Sequence, residues 1–75
     1  MTLKAVTLAE IERIFEVLER LGISREAVVI PLKPESPGRM RLLPNGKAEI
    51  VIDAERPLDE FLVDVEAWLR RELGG

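Results

Sequence analysis

At 75 residues the chain has room for one small core, near the size at which folding buries only about 60% of the unfolded surface. It contains no Cys and no His, which excludes disulfide staples, thiolate or imidazole metal sites and a histidine general base. Its 47% hydrophobic and 33% charged residues leave few neutral polar ones, and the formal net charge is -3; such a chain reads as folded, without a general attraction for nucleic acid or anionic lipid.

The first element begins at Thr7-Leu-Ala-Glu10, a capping box in which the Thr7 hydroxyl accepts from the Glu10 N–H and the Glu10 carboxylate returns the bond. Leu8, Ile11, Ile14, Phe15, Leu18 and Leu21 then recur at three- and four-residue steps, with Glu12, Arg13, Glu16, Glu19 and Arg20 opposite, so an amphipathic helix is expected. Gly22 suits a left-handed helix end and Ile23 can fold back on Leu18. Next, Ala27-Val-Val-Ile-Pro-Leu32 is short and β-branched, a strand expected at a sheet edge because Pro31 cannot donate to a ladder. Val28, Ile30 and Leu32 are expected to point inward. Residues 33–38 form a turn-rich connection ending in Pro37-Gly38, and two further strands flank Pro44-Asn45-Gly46. Pro57, acidic Asp59 and Glu60, Arg70 and Arg71, and Gly74 bound a second helix, its charges matched to its dipole. Its stripe is Leu58, Phe61, Leu62, Val65, Trp68, Leu69 and Leu73, which assigns Trp68 to the core.

The loop between the last two strands fixes their register. A two-residue Asn-Gly turn would set Arg41 opposite Ile50 and Leu42 opposite Glu49. A three-residue Pro44-Asn45-Gly46 loop instead sets Leu42 opposite Ala48, Arg41 opposite Glu49, Met40 opposite Ile50 and Gly38 opposite Ile52, giving one apolar face and one charged face. The second closure is expected, with Pro44 opening a type I turn and Gly46 left-handed.

The order α-β-β-β-α over 1-75 therefore predicts a single α+β domain. Its expected form is a two-layer sandwich, a three-stranded antiparallel meander with both helices packed on one face. The open face would carry Val29, Arg39, Arg41, Leu43, Lys47, Glu49, Val51 and Asp53. It reads either as a solvated face with cross-strand ion pairs or as a contact surface with an apolar centre and arginine anchors.

No metal, cofactor-binding or catalytic residues are expected. HExxH and CxxC are impossible without His and Cys. Thr2, Thr7, Ser24 and Ser36 are the only hydroxyl side chains and have no base at motif spacing, and Gly-rich phosphate loops are missing. The carboxylates Glu60 with Asp64, and Asp59 with Glu66, lie on the polar side of the second helix and lack the burial a catalytic dyad needs.

The element order is similar to that of the double-stranded RNA-binding domain and of small RNA-cleaving toxins that share its topology. The resemblance implies RNA contacts through a basic start to the last helix or a His-bearing loop. Here that helix begins Pro57-Leu-Asp-Glu60 and the loop reads Pro44-Asn-Gly46, so no functional residue carries over.

The expected function is a non-enzymatic protein–protein interaction module, a homodimer or small-complex subunit using the open sheet face or the edge of the third strand, without a small-molecule substrate. The alternative is an RNA-binding module using Lys33, Arg39, Arg41 and Lys47. Eight Arg against three Lys, one Asn and no Gln suggest a thermophilic source. The absence of a membrane-length apolar run, with Met1-Thr-Leu-Lys lacking a signal pattern, suggests the cytoplasm.

Overall fold

The computed structural model describes residues 6–73; the expectations placed on Met1–Lys4, including Thr2, and on Gly74 lie outside them. Helix α1 runs Leu8–Leu21. At its start the Glu10 N–H donates to Thr7 Oγ1 at 3.2 Å and the Thr7 N–H donates to Glu10 Oε1 at 2.8 Å, which is the expected reciprocal cap. At its end Gly22 has φ +73° and the Ile23 N–H donates to the Leu18 carbonyl at 2.9 Å, the Schellman closure. After a single 3₁₀ turn at Arg25–Ala27 come β1 (Val28–Val29), β2 (Arg39–Leu42), β3 (Ala48–Val51) and α2 (Leu58–Glu72). Pro57 stands immediately before α2, where a residue without an N–H costs nothing.

The structure is an α+β fold with a three-stranded sheet of order β1-β3-β2. Strand β2 is antiparallel to β3, with Leu42 opposite Ala48, Arg41 opposite Glu49 and Met40 opposite Ile50. That is the register of the three-residue loop, and Gly46 has φ +86°. The antiparallel meander is corrected: β1 is parallel to β3, with Val28 beside Ala48 and Val29 beside Glu49. The connection does not reverse beside β1. It continues along β3, where the Glu35 N–H donates to the Ile52 carbonyl at 3.1 Å and the Ala54 N–H donates to the Glu35 carbonyl at 2.9 Å. It then crosses the end of β3 at Gly38 and descends as β2. Three prolines, Pro31, Pro34 and Pro37, favour this extended path over a compact turn.

One cluster joins Ile14, Val17 and Leu18 of α1, Ala48, Ile50 and the adjoining Ile52 of the central strand, and Phe61, Leu62, Val65 and Leu69 of α2. Trp68 packs against this cluster half-buried, as its helical spacing predicted. The helices run side by side in the same direction, since Arg13 pairs with Asp59 at 2.6 Å and Arg20 with Glu66 at 2.8 Å, a seven-residue advance on both. Val17 belongs to this helix–helix seam and was missing from the expected stripe. Leu8, by contrast, is 70% exposed.

Candidate functional site

Of the residues expected on the open sheet face, several do come together, but not as an exposed apolar centre. Val51 is 1% exposed and lies outside the main core cluster. An ion pair that spans the central strand contributes cover on this face. Arg39, on β2, is paired in register with Val51, while Glu35 is bridged to Asp53 from the opposite side of β3. Arg39 Nη1 donates to Glu35 Oε1 at 3.0 Å, so the arginine stem passes over β3 and covers Val51 while its head stays in water. Next to it Arg41 Nε donates to Glu49 Oε1 at 2.7 Å. Val29 lies beyond Glu49, at the margin of exposure. Leu43 is half-buried and Lys47 is exposed at the hairpin loop, where the Leu43 N–H donates to the Lys47 carbonyl at 2.7 Å.

Asp53 closes the crossing and is not a free surface carboxylate. It accepts from the Gly38 N–H at 3.0 Å and from the Glu55 N–H at 2.8 Å. The Gly38 bond and then the Glu55 bond hold its pKa below the ordinary 3.8, against a smaller opposing effect of burial, and the nearby Arg56 adds a lesser lowering. Because the folded form favours the carboxylate, its stabilisation is present above pH 3.8 and is lost as the pH falls through the lower folded value. Asp53→Asn is therefore expected to melt below wild type at neutral pH, with the difference shrinking on acidification past 3.8. A pH-independent difference in thermal melts would count against this account of the corner.

The edge assignment also changes. The third strand was expected to offer an edge, but β3 is central, flanked by β1 and β2. The signal was present in the sequence: Ile50, Val51 and Ile52 are consecutive and all buried, as in a strand covered on both faces. Among the described residues the outer strands are β1, two residues long with Pro31 two positions beyond it, and β2. Since Leu43 bonds to Lys47, antiparallel alternation assigns Arg41 and Arg39 to the hydrogen-bonded pairs with β3. The N–H and C=O groups of Met40 and Leu42 consequently point away from the sheet. Sequence reasoning placed both side chains in the core, yet Leu42 is 47% exposed and Met40 is half-buried. Leu32, also expected inward, is exposed. Met40 and Leu42 lack a neighbouring strand on one side, so their place on the core face does not bury them fully, and Leu32 lies beyond the end of β1.

A second surface is the open groove between the helices, about 720 Å³, lined by Val17, Leu62 and Val63 and bordered by the Arg13–Asp59 and Arg20–Glu66 pairs. These pairs, with Arg56–Asp64 at 2.7 Å and Arg70–Glu66 at 3.1 Å, give Asp59, Asp64 and Glu66 cationic partners at exposed or half-exposed positions. Among the described residues, no helix is long and apolar enough to cross a membrane. Comparison of the chain with known protein families, with characterised proteins and with solved structures finds no match.

Proposed function

We propose that this chain is a non-enzymatic protein–protein interaction module, a homodimer or small-complex subunit, with both helices layered on one face of its sheet and the edge of β2 as its contact element. The observation that carries this reading is the uncapped edge itself. Among the described residues the backbone groups of Met40 and Leu42 have no partner, and the Leu42 side chain extends an apolar stripe to the rim, where it is 47% exposed. No Pro or Gly interrupts Arg39–Leu42. Addition of a strand satisfies the backbone groups and covers the leucine together. The open face supports the reading less, because Val51 is covered and Arg39 and Arg41 are engaged by Glu35 and Glu49. The same two ion pairs weaken the RNA-binding alternative, which needs those guanidinium groups for phosphate. The amide-poor, charge-rich composition supports a thermophilic source.

Sedimentation velocity from about 1 μM to about 1 mM tests self-association. Wild type is expected to approach the mass of two chains at the upper end. Leu42→Lys is expected to stay at one chain while changing stability by no more than about 0.5 kcal/mol, as at other partly exposed sites. A single-chain mass for wild type throughout would contradict the homodimer.

A further inference from the structure

We infer that the partner of β2 is β2 of a second copy, joined antiparallel about a two-fold axis at Arg41 to give a continuous six-stranded sheet. This rests on the interaction reading above and adds the occupant and its register. A closed dimer made through one strand edge must be isologous, so the strand has to complement itself. Only registers that put the apolar face of one copy level with that of the other keep Met40 and Leu42 away from charges. Four such registers place the axis on a residue of β2; the one at Arg39 sets Met40 beside Gly38 and Leu42 beside Ser36, both outside the strand, which leaves three.

With the axis at Met40, Arg39 faces Arg41 of the other copy twice, and Leu42 faces Gly38, which has no side chain to cover it and whose N–H is already given to Asp53 at 3.0 Å. With the axis at Leu42, Met40 meets Pro44, which has no N–H to donate, and the ladder is halved. With the axis at Arg41, the outward groups of Met40 meet those of Leu42 on both sides, allowing four backbone hydrogen bonds. Each exposed Leu42 then covers a Met40, and the Arg39 stem lies beside Leu43 of the second copy. The one like-charge contact is Arg41 with Arg41, and each is already held by Glu49 at 2.7 Å, so the four charges at the seam sum to zero. A four-residue edge places this interface at the small end of specific contacts, and dissociation on dilution is expected.

The cysteine-free sequence makes a clean crosslinking test. Across the axis the two Arg41 positions form a non-hydrogen-bonded pair, about 4.5 Å between Cα atoms, within disulfide range. The two Arg39 positions would stand about 13 Å apart along the strands, too far to bridge. Both side chains are half-exposed on the same strand, so random collision oxidises them alike. Under copper-phenanthroline oxidation Arg41→Cys is expected to form covalent dimer at least about ten times faster than Arg39→Cys. Adding Leu42→Pro should bring it down to the Arg39→Cys rate, since that residue's N–H serves only the outer edge. If the proline variant loses its circular dichroism, Leu42→Lys supplies the same comparison. Equal rates for Arg41→Cys and Arg39→Cys would overturn this register, even with wild type still associating. A wild type that stays single at all concentrations, with no variant crosslinking, would overturn the self-association reading along with it.

Discussion

Replacing Gly38 with Ala is expected to destabilise the fold by about 1–3 kcal/mol, the usual cost of forcing atoms into a filled site. The reason is not backbone strain, because the positive φ values belong to Gly22 and Gly46 among the described glycines. It is the crossing of two chain segments. A Cβ at position 38 would lie 2.6 Å from the Asp53 backbone nitrogen and 2.7 Å from its Cα, and backbone atoms of a paired strand cannot swing aside. Relief requires lifting the 36–38 turn off β3, which also breaks the Gly38 N–H bond to the Asp53 carboxylate. The contrast is Gly46→Ala, where the space is open but φ is +86°, and the loss should be about 1 kcal/mol. Urea unfolding of the two variants separates them. Wild-type stability for Gly38→Ala would mean that the connection does not cross β3 at this point.

The second large effect is expected at Val51, where Val51→Asp should cost on the order of 3 kcal/mol and leave the protein largely unfolded on warming. On a solvated sheet face such a change would be mild. Here the side chain is 1% exposed, lying under the Arg39–Glu35 bridge and level with the backbone of a central strand. The new carboxylate would lose water without gaining a dedicated cation, since Arg39 is already shared with Glu35 at 3.0 Å. Val63→Asp is the matched control: the same substitution at a residue 69% exposed on α2 should change stability by no more than about 0.5 kcal/mol. Equal losses at the two positions would show that Val51 is not covered.

The features legible in the sequence are those decided by neighbours in the chain. Thr7 with Glu10, Gly22 with Ile23, and the Pro44-Asn45-Gly46 loop each specify a local geometry through their own chemistry, and each occurs as read. The hairpin register followed because a slip of one residue would have mixed charge into an apolar face. Strand order was not legible by the same means. Consecutive strands usually lie side by side, and Pro37-Gly38 looks like an ordinary reversal, yet the glycine serves a close crossing near Asp53. The run Ile50-Val51-Ile52 carries the signal of a central strand, and it competes with the alternation of Ala48, Ile50 and Ile52 that points to a sheet covered on one face only. The candidate surface changed for that reason. With β3 in the middle, Val51 gains cover from a cross-strand ion pair that no pairwise pattern reveals, and the exposed apolar residue moves to Leu42 at the rim of β2.

The central claim, that the outer edge of β2 is free in the single chain and occupied on association, is tested most directly by residue-resolved amide hydrogen exchange at low and high protein concentration. At low concentration the Arg39 and Arg41 amides, which face β3, should exchange slowly and those of Met40 and Leu42 quickly. At high concentration the Met40 and Leu42 amides should gain protection while Arg39 and Arg41 keep theirs. Fast exchange at Met40 and Leu42 at every concentration, or equal protection of all four at the lowest, would contradict it.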